Sequence, residues 1–358
     1  MAGNLSRDNN FDLVRLFAAL QVVLFHGYEH LHLPSQLLNS VVYSLRFFPG
    51  VPIFFAISGF LVFATYDYNP DLKNYFRNRF LRIYPGLWAC LLITIGILSA
   101  FGYINFATVF SKQFWLWIVT QASFLQFYTP VILRHFGVGN PNGALWTIPV
   151  EISFYIFIPF IFWLFKRIRI SRNAWILIWM AMSVAYNIYY QPYKFQAERP
   201  DLVKLMGVTI GPYLFYFLLG SLAYTNWDKI RKWYEGKGLL WLAIYGIYCI
   251  VFCIWLQKFH TGYWTNFYHF ISVFLLSQTV LSVAYTKRGL SNRILKKNDL
   301  SFGLYIYHMP VINLLLALGY EGNNFSIAIV IIITTALAYV SWRFVERPAL
   351  LLKKRTIN

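Results

Sequence analysis

Five ionisable residues fall well inside long apolar runs of this chain: Asp12, Arg15, His26, Glu151 and His308. Such groups are costly in hydrocarbon and usually mark function. In RLFAALQVVLFH, Arg15 and His26 lie eleven residues apart. At ~100° per residue they return to within about 20° of one helix face, with a rise of roughly 16 Å between them. Asp12, three residues before Arg15, is placed to pair with it and offset its desolvation. A snorkelling anchor at the membrane surface is the plainer use of Arg15.

Counted from position 11, His26 sits about 22 Å up a hydrocarbon core of about 30 Å. Glu151 enters from the outer side about 9 Å deep by the same arithmetic, so the two share a depth near the outer mouth. A carboxylate beside an imidazole orients it and keeps it ready to accept a proton. The structural alternative is a buried pair that only ties two helices together. Glu29 and His30, one turn beyond His26, are placed to line an entrance or to sit in water. His308 lies about 10 Å above the inner face by the same count.

A second dense site is DLKNYFRNRFLRIYPG, residues 71–86. On a helix Arg79 and Arg82 point the same way, with Arg77 flanking them. Guanidinium forks suit phosphates; a basic segment beside a membrane also grips anionic lipid. A phosphate-bearing group held inside and an acid–base pair near the outside would be separated by the order of an extended pantetheine arm. Acyl transfer across a membrane needs that arrangement.

The elements that must position these groups are membrane helices. The 358 residues are 58% hydrophobic and 12% charged; soluble domains carry about 25% charged residues. Apolar runs of about 18 residues or more recur along the chain. Spans are expected at 11–30, 48–66, 84–103, 145–165, 173–190, 205–224, 238–257, 267–285, 301–319 and 326–345. Segment 114–130 is apolar but interrupted by Gln121, Ser123 and Gln126, and the basic residues decide its place. With it outside, 24 of the 31 Lys and Arg fall in cytoplasmic loops; with it spanning, 11 do. The expectation is an all-α bundle of about ten transmembrane helices, both termini cytoplasmic. It forms a single membrane domain over 1–358, with its largest outer region at 104–144, the arginine-rich inner loop at 67–83 and no fused soluble domain.

The net charge of +18 belongs to short loops, so nucleic-acid binding is excluded for want of a contiguous basic face. The start MAGNLSRDNN runs into a helix holding Asp12 and Arg15, unlike a cleavable leader. Cys90, Cys249 and Cys253 lie in apolar stretches without metal-ligand partners, so no metal and no disulfide framework are expected. Gly207 and Gly211 form a GxxxG pair read as a helix-packing contact. Pro149 is expected to break or kink its helix just before Glu151.

The chain resembles the family-3 membrane-bound acyltransferases over nearly its whole length. FDLVRLFAALQVVLFH matches the family's D-x-x-R, ten residues and a histidine, at Asp12, Arg15 and His26. Ser58-Gly59-Phe60-Leu61 is similar to its S-G-F-L, and Arg79 to Arg82, running into Tyr84 and Pro85, to its R-x-x-R. LWTIPVEISFYIFIP is similar to the L-W-S-L-x-V-E stretch at Trp146, Glu151, Phe154, Tyr155 and Pro159, with Thr147 in place of the serine. SFGLYIYHMP carries His308, and Glu346 to Pro348 matches the terminal E-R/K-P.

The resemblance implies transfer of an acyl group, commonly acetyl, from cytoplasmic acyl-CoA to a hydroxyl of an extracytoplasmic glycan. Lipopolysaccharide O-antigen or its lipid-linked precursor would be such an acceptor, and the seat the bacterial inner membrane. It implies His26 as general base or transient acyl carrier, Glu151 as the group that orients or recharges it, and Arg79, Arg82 and Arg15 on the CoA phosphates. Tyr84 is taken with that donor site. Ser58 and Gly59 would let the pantetheine arm pass, or would serve packing. Glu29, His30 and Trp146 would meet the acceptor, while Asp12 and His308 carry no assigned role. The outer aromatics Phe114, Trp115, Trp117, Phe124, Phe127 and Tyr128 would stack on sugar rings or form an interfacial belt.

The rival is a proton-coupled secondary transporter of an anionic metabolite, with His26 and Glu151 as a relay. The sequence shows no repeat symmetry to support it. A purely structural subunit leaves the buried ionisable groups unexplained.

Overall fold

The computed structural model describes residues 8–194, 196, 198, 200–259 and 266–353. Arg7, Arg199, Lys354 and Arg355, which enter the charge count, lie outside the described residues. Within them every regular element is helical. The first six helices are α1 (Phe11–His30), α2 (Gln36–Leu45), α3 (Gly50–Tyr68), α4 (Leu72–Ala100), α5 (Phe106–Val109) and α6 (Lys112–Ala122). A 3₁₀ turn, Gly143–Trp146, leads into α7 (Thr147–Arg167), followed by α8 (Arg172–Lys194), α9 (Asp201–Met206), α10 (Leu214–Thr225) and α11 (Trp227–Ile230). Then come α12 (Gly238–Cys249), continued by a π-helical turn Ile250–Trp255, α13 (Phe267–Ala284), α14 (Leu290–Leu295) and α15 (Ser301–Ala317). Last are α16 (Ser326–Ser341), continued by a π-helical turn Trp342–Glu346, and α17 (Arg347–Leu351).

Seven helical segments are long and apolar enough to cross a membrane, and Leu214–Thr225 and Ser301–Ala317 are shorter apolar helices. The chain is a multi-pass membrane protein. Segment 114–130 does not form a spanning helix. Its helix, α6, has 11 residues, about 16 Å at 1.5 Å per residue.

The chain clusters into two compact units. One holds Met1–Ala18, Arg46–Leu72 and Val150–Lys297; the other holds Ala19–Leu45, Lys73–Pro149 and Asn298–Asn358. In the first unit the start of α1 is tied down by Asn10. Its amide Nδ2 donates to Thr286 O (2.6 Å) and Lys287 O (3.2 Å), and its Oδ1 accepts from Ser291 N (2.9 Å).

The expected sixth span, 205–224, is corrected: its helix is α10, which begins only at Leu214. Pro212 has no N–H to donate to the carbonyl four residues earlier, so the regular helix is not continued through this point. The unwound backbone ahead of α10 is satisfied by polar side chains of α8, as a non-helical stretch at membrane depth requires. Ser183 Oγ donates to Gly211 O (2.6 Å) and accepts from Phe215 N (3.0 Å). Asn187 Nδ2 donates to Pro212 O (3.0 Å), and the Tyr186 hydroxyl to Met206 O (3.0 Å).

The GxxxG reading is corrected with it. Gly207 caps α9 and Gly211 lies in the turn; a Cβ on them would meet the Tyr190 hydroxyl at 2.4 Å and the Tyr186 ring at 2.8 Å. The close helix crossing belongs instead to α3 and α10. A Cβ on Gly59 would stand 1.7 Å from Phe217 O, and one on Gly220 would stand 2.0 Å from Ala56 O. Ser221 Oγ donates to Gly59 O (3.1 Å) at the same crossing. Gly59 therefore serves packing.

Pro149 is corrected too. It falls in the first turn of α7, where the missing N–H is one that the helix leaves unpaired anyway, so no break separates it from Glu151.

Gly220→Ala should destabilise the protein by about 1–3 kcal/mol or more, since the facing atom is backbone and cannot swing aside. Gly246→Ala is the control, because nothing lies within 4 Å of its added Cβ. Thermal melts in detergent should show a fall for the first and an unchanged or slightly raised midpoint for the second.

Candidate active site

The second unit is organised around α15. Pro310 cannot donate to the carbonyl of Ile306 four residues earlier, and a carbonyl left open in an apolar interior must find a partner. Two arrive: Asn142 Nδ2 donates to Ile306 O at 2.8 Å and the Cys90 thiol of α4 donates at 3.2 Å. Three residues beyond Pro310, Asn313 Nδ2 donates to Asn140 O (2.8 Å) and Pro141 O (3.1 Å), while its Oδ1 accepts from Val138 N (3.0 Å). Gly137, at φ 53°, leaves room for that amide: a Cβ there would stand 2.0 Å from Asn313 Oδ1. The Tyr305 hydroxyl bonds Thr147 Oγ1 (2.9 Å) and Ala144 O (3.1 Å). Thr147 thus uses the hydroxyl that it shares with the serine it replaces. These contacts lay segment 137–147 along α15 and fix the helix face that carries His308.

His308 is fully buried and His26, from the second half of α1, is half-buried. His26 Nδ1 and His308 Nε2 stand 2.9 Å apart, with ring centroids at 5.1 Å and planes at 24°. His308 Nδ1 lies 2.7 Å from Tyr305 O. A carbonyl only accepts, so His308 Nδ1 carries the hydrogen and the Nε2 of the neutral ring holds a lone pair. His26 Nδ1 must then be the donor between the rings, which leaves His26 Nε2 with a free lone pair. The chain of bonds prepares one nitrogen to take a proton. His30, one turn on, packs its ring against His26 with centroids 5.5 Å apart.

The depth estimate for His308 is corrected by this contact. It had placed His308 well below His26 because it started every helix at the same plane. The two rings touch, so helix counts begun at 11 and at 301 do not start level.

The arginines of α4 do not act as one free cluster. Arg82 Nη2 pairs with Asp299 Oδ2 at 2.5 Å, the side chains being 21% and 13% exposed. Asp299 Oδ1 also accepts from Ser301 N (3.2 Å) and Ser301 Oγ (2.6 Å), capping α15. Arg77 Nη2 donates to Leu352 O at 3.0 Å. The guanidinium of Arg79 lies over the Tyr75 ring, 5.8 Å from its centroid. Beyond α16, the π-helical turn brings Glu346 inside, 2% exposed, where it accepts from Ser341 Oγ at 2.8 Å. Tyr84 joins a different face: it stacks on Phe80 at 4.6 Å and edges Trp88 at 5.8 Å, and both of these are exposed.

The remaining residues singled out in the sequence are placed as follows. In the first unit Arg15 Nη1 pairs with Asp12 Oδ1 at 3.1 Å, as expected. Glu151 is half-buried and accepts from the hydroxyl of Tyr155, one turn along α7. The hydrogen bond at His26 Nδ1 is made by His308. Ser58, Glu29 and Trp146 are half-buried. Among the outer aromatics, Phe114 and Trp117 stack inward with Leu98, Leu133 and Phe136, so they are core rather than sugar platforms or belt. Trp115 and Phe124 are exposed, and Phe127 and Tyr128 half-buried.

The sequence reading missed Asp299, Asn142 and Tyr305. Tyr305 sits in the same SFGLYIYHMP stretch as His308, and Pro310 signalled an open carbonyl that some side chain had to fill. No cluster of three or more His, Cys, Asp or Glu side chains suited to a metal occurs among the described residues.

Comparisons with known proteins bear on what this arrangement serves. A family model described as "Acyltransferase domain", that of the family-3 acyltransferases, matches residues 8–343. The chain is 32% identical to "Nodulation protein 10" of Rhizobium leguminosarum bv. viciae, over 96% of this chain and 94% of that one. It is 24% identical to "Putative peptidoglycan O-acetyltransferase YrhL" of Bacillus subtilis (strain 168), over 94% of this chain and 54% of that one. It is 22% identical to a "Putative O-acetyltransferase" of Staphylococcus aureus (strain COL), over 94% of this chain and 56% of that one. The chain thus spans about half the length of the latter two. No solved structure matches. With the Asp12, Arg15 and His26 face, the Arg79–Arg82 pair and the His308 stretch all in place, the chain belongs to the family-3 membrane-bound acyltransferases, and its chemistry is acyl transfer.

Proposed function

We propose that the protein transfers an acetyl group from cytoplasmic acetyl-CoA to a hydroxyl of a surface polysaccharide outside the membrane, such as lipopolysaccharide O-antigen or its lipid-linked precursor. The observation that carries this reading is the bond between His26 Nδ1 and His308 Nε2, which leaves His26 Nε2 as the base. The names of two relatives contain O-acetyltransferase, one of them with peptidoglycan, which supports a glycan hydroxyl as acceptor. The proposed setting is the bacterial inner membrane, with ten spans in one membrane domain and both termini in the cytoplasm.

In the proposed reaction His26 Nε2 takes the proton of the acceptor hydroxyl as its oxygen attacks the thioester carbonyl. The carbon–sulfur bond then breaks, and the same proton passes from His26 to the departing thiolate. The imidazolium formed in between is steadied because His26 Nδ1–H donates to His308, whose own Nδ1–H is anchored on Tyr305 O. Arg79 and Arg82 hold phosphates of the donor, and a guanidinium fork supplies two parallel donors to each. Glu151, Arg15, Ser58, Tyr84, Glu29, His30 and Trp146 enter this proposal through the motifs that carry them: Glu151 to recharge His26, Arg15, Ser58 and Tyr84 toward the donor, the others toward the acceptor.

Two experiments test it. His26→Ala should lower acetyl transfer to membrane glycan by about 10²–10⁴-fold, the range of a lost general base, while binding of radiolabelled acetyl-CoA survives. Loss of that binding would place His26 in the donor site instead. At His308 the side-chain oxygen of Gln can still accept from His26 Nδ1–H, whereas Leu cannot. His308→Gln should therefore retain at least about tenfold more activity than His308→Leu. Nitrogen-15 spectra of labelled histidine should show His26 protonated at Nδ1 in the wild type and as a tautomer mixture in the Leu variant.

A further inference from the structure

Asp299 serves two partners with its two oxygens. Oδ2 holds Arg82 at 2.5 Å, and Oδ1 caps α15 through Ser301 N and Oγ. The guanidinium is enclosed further by the Phe302 ring, 5.9 Å from its Cζ, and lies within electrostatic reach of the buried Glu346 carboxyl. A mostly buried arginine that already faces one bonded carboxylate cannot accept a phosphate as an addition, because the like charges would be forced together at low dielectric. It can accept one by exchange, since a phosphate offers more charge and a bidentate match to the fork.

We propose that Asp299 is a latch on the donor site: its carboxylate occupies the place of a donor phosphate on Arg82, and the donor binds by displacing it. This rests on the reading of Arg82 as a residue that holds donor phosphate. With the site empty, the pair keeps a desolvated cation from standing alone. When the donor arrives, Asp299 releases Arg82 and keeps its hold on Ser301, so the first turn of the helix that carries Tyr305 and His308 stays capped. The donor gives up part of its binding energy to break the pair, which makes Asp299 a determinant of donor affinity without contact to the reacting atoms.

The test is equilibrium binding of radiolabelled acetyl-CoA to the full chain in detergent, for wild type, Asp299→Asn and Arg82→Ala, with each variant's folding checked by its melt. Asn keeps the cap and removes the charge; Asp299→Ser, which also caps a helix, replaces it if the first variant does not fold. The proposal expects Asp299→Asn to bind about three- to tenfold tighter than wild type, the net scale of one hydrogen bond that need not be broken. It expects Arg82→Ala to bind at least about tenfold weaker. Damage to the fold would not tighten binding. If Arg82→Ala weakens binding while Asp299→Asn leaves it unchanged or weaker, the latch is wrong and Asp299 only orients Arg82. If Arg82→Ala binds as wild type does, the reading of Arg82 itself fails, and the latch falls with it.

Discussion

The 2.9 Å contact between His26 and His308 is the constraint that the second unit is arranged to meet. Two imidazoles in an apolar interior must find partners, and each ring has one nitrogen that donates and one that accepts. Anchoring the far nitrogen of His308 on the Tyr305 carbonyl removes the choice of tautomer at both rings. The lone pair that remains is on His26 Nε2, the atom that the proposed reaction uses as its base. Everything that holds α15 in rotation and height holds that lone pair in place.

That hold comes from unmade helix hydrogen bonds. Pro310 opens the Ile306 carbonyl, and Asn142 and Cys90 close it. Asn313 and Tyr305 then bind segment 137–147. At the other end Asp299 caps α15 and ties it to Arg82. In the first unit the same logic operates at Pro212, where Ser183 and Asn187 complete the backbone ahead of α10. In both places a proline that would weaken a helix in isolation becomes the point where polar side chains specify one packing.

Much of this was legible in the sequence. Apolar length and the scarcity of charge announced the membrane helices, and the spacing of Asp12 and Arg15 announced their ion pair. Counting arginines and lysines kept segment 114–130 from being read as a span, and its helix has 11 residues. What the sequence could not give was the relative height of helices. Depth counted from hydropathy edges assumes level starts, and the contact of His26 with His308 breaks that assumption. His308, which the sequence left without a role, is the residue that meets His26 Nδ1. The glycines misled in a related way: Gly207 and Gly211 had the spacing of a packing motif, but only Gly59 and Gly220 have a facing backbone close enough to demand glycine. Spacing along one chain does not say what stands opposite.

A structure of the protein with a non-hydrolysable acetyl-CoA thioether tests the central claim most directly. The account predicts the donor sulfur within about 6 Å of His26 Nε2, one near-attack contact plus one hydrogen bond. A sulfur seated at twice that distance would contradict it, and would mean that the imidazole pair holds helices together while another group does the chemistry.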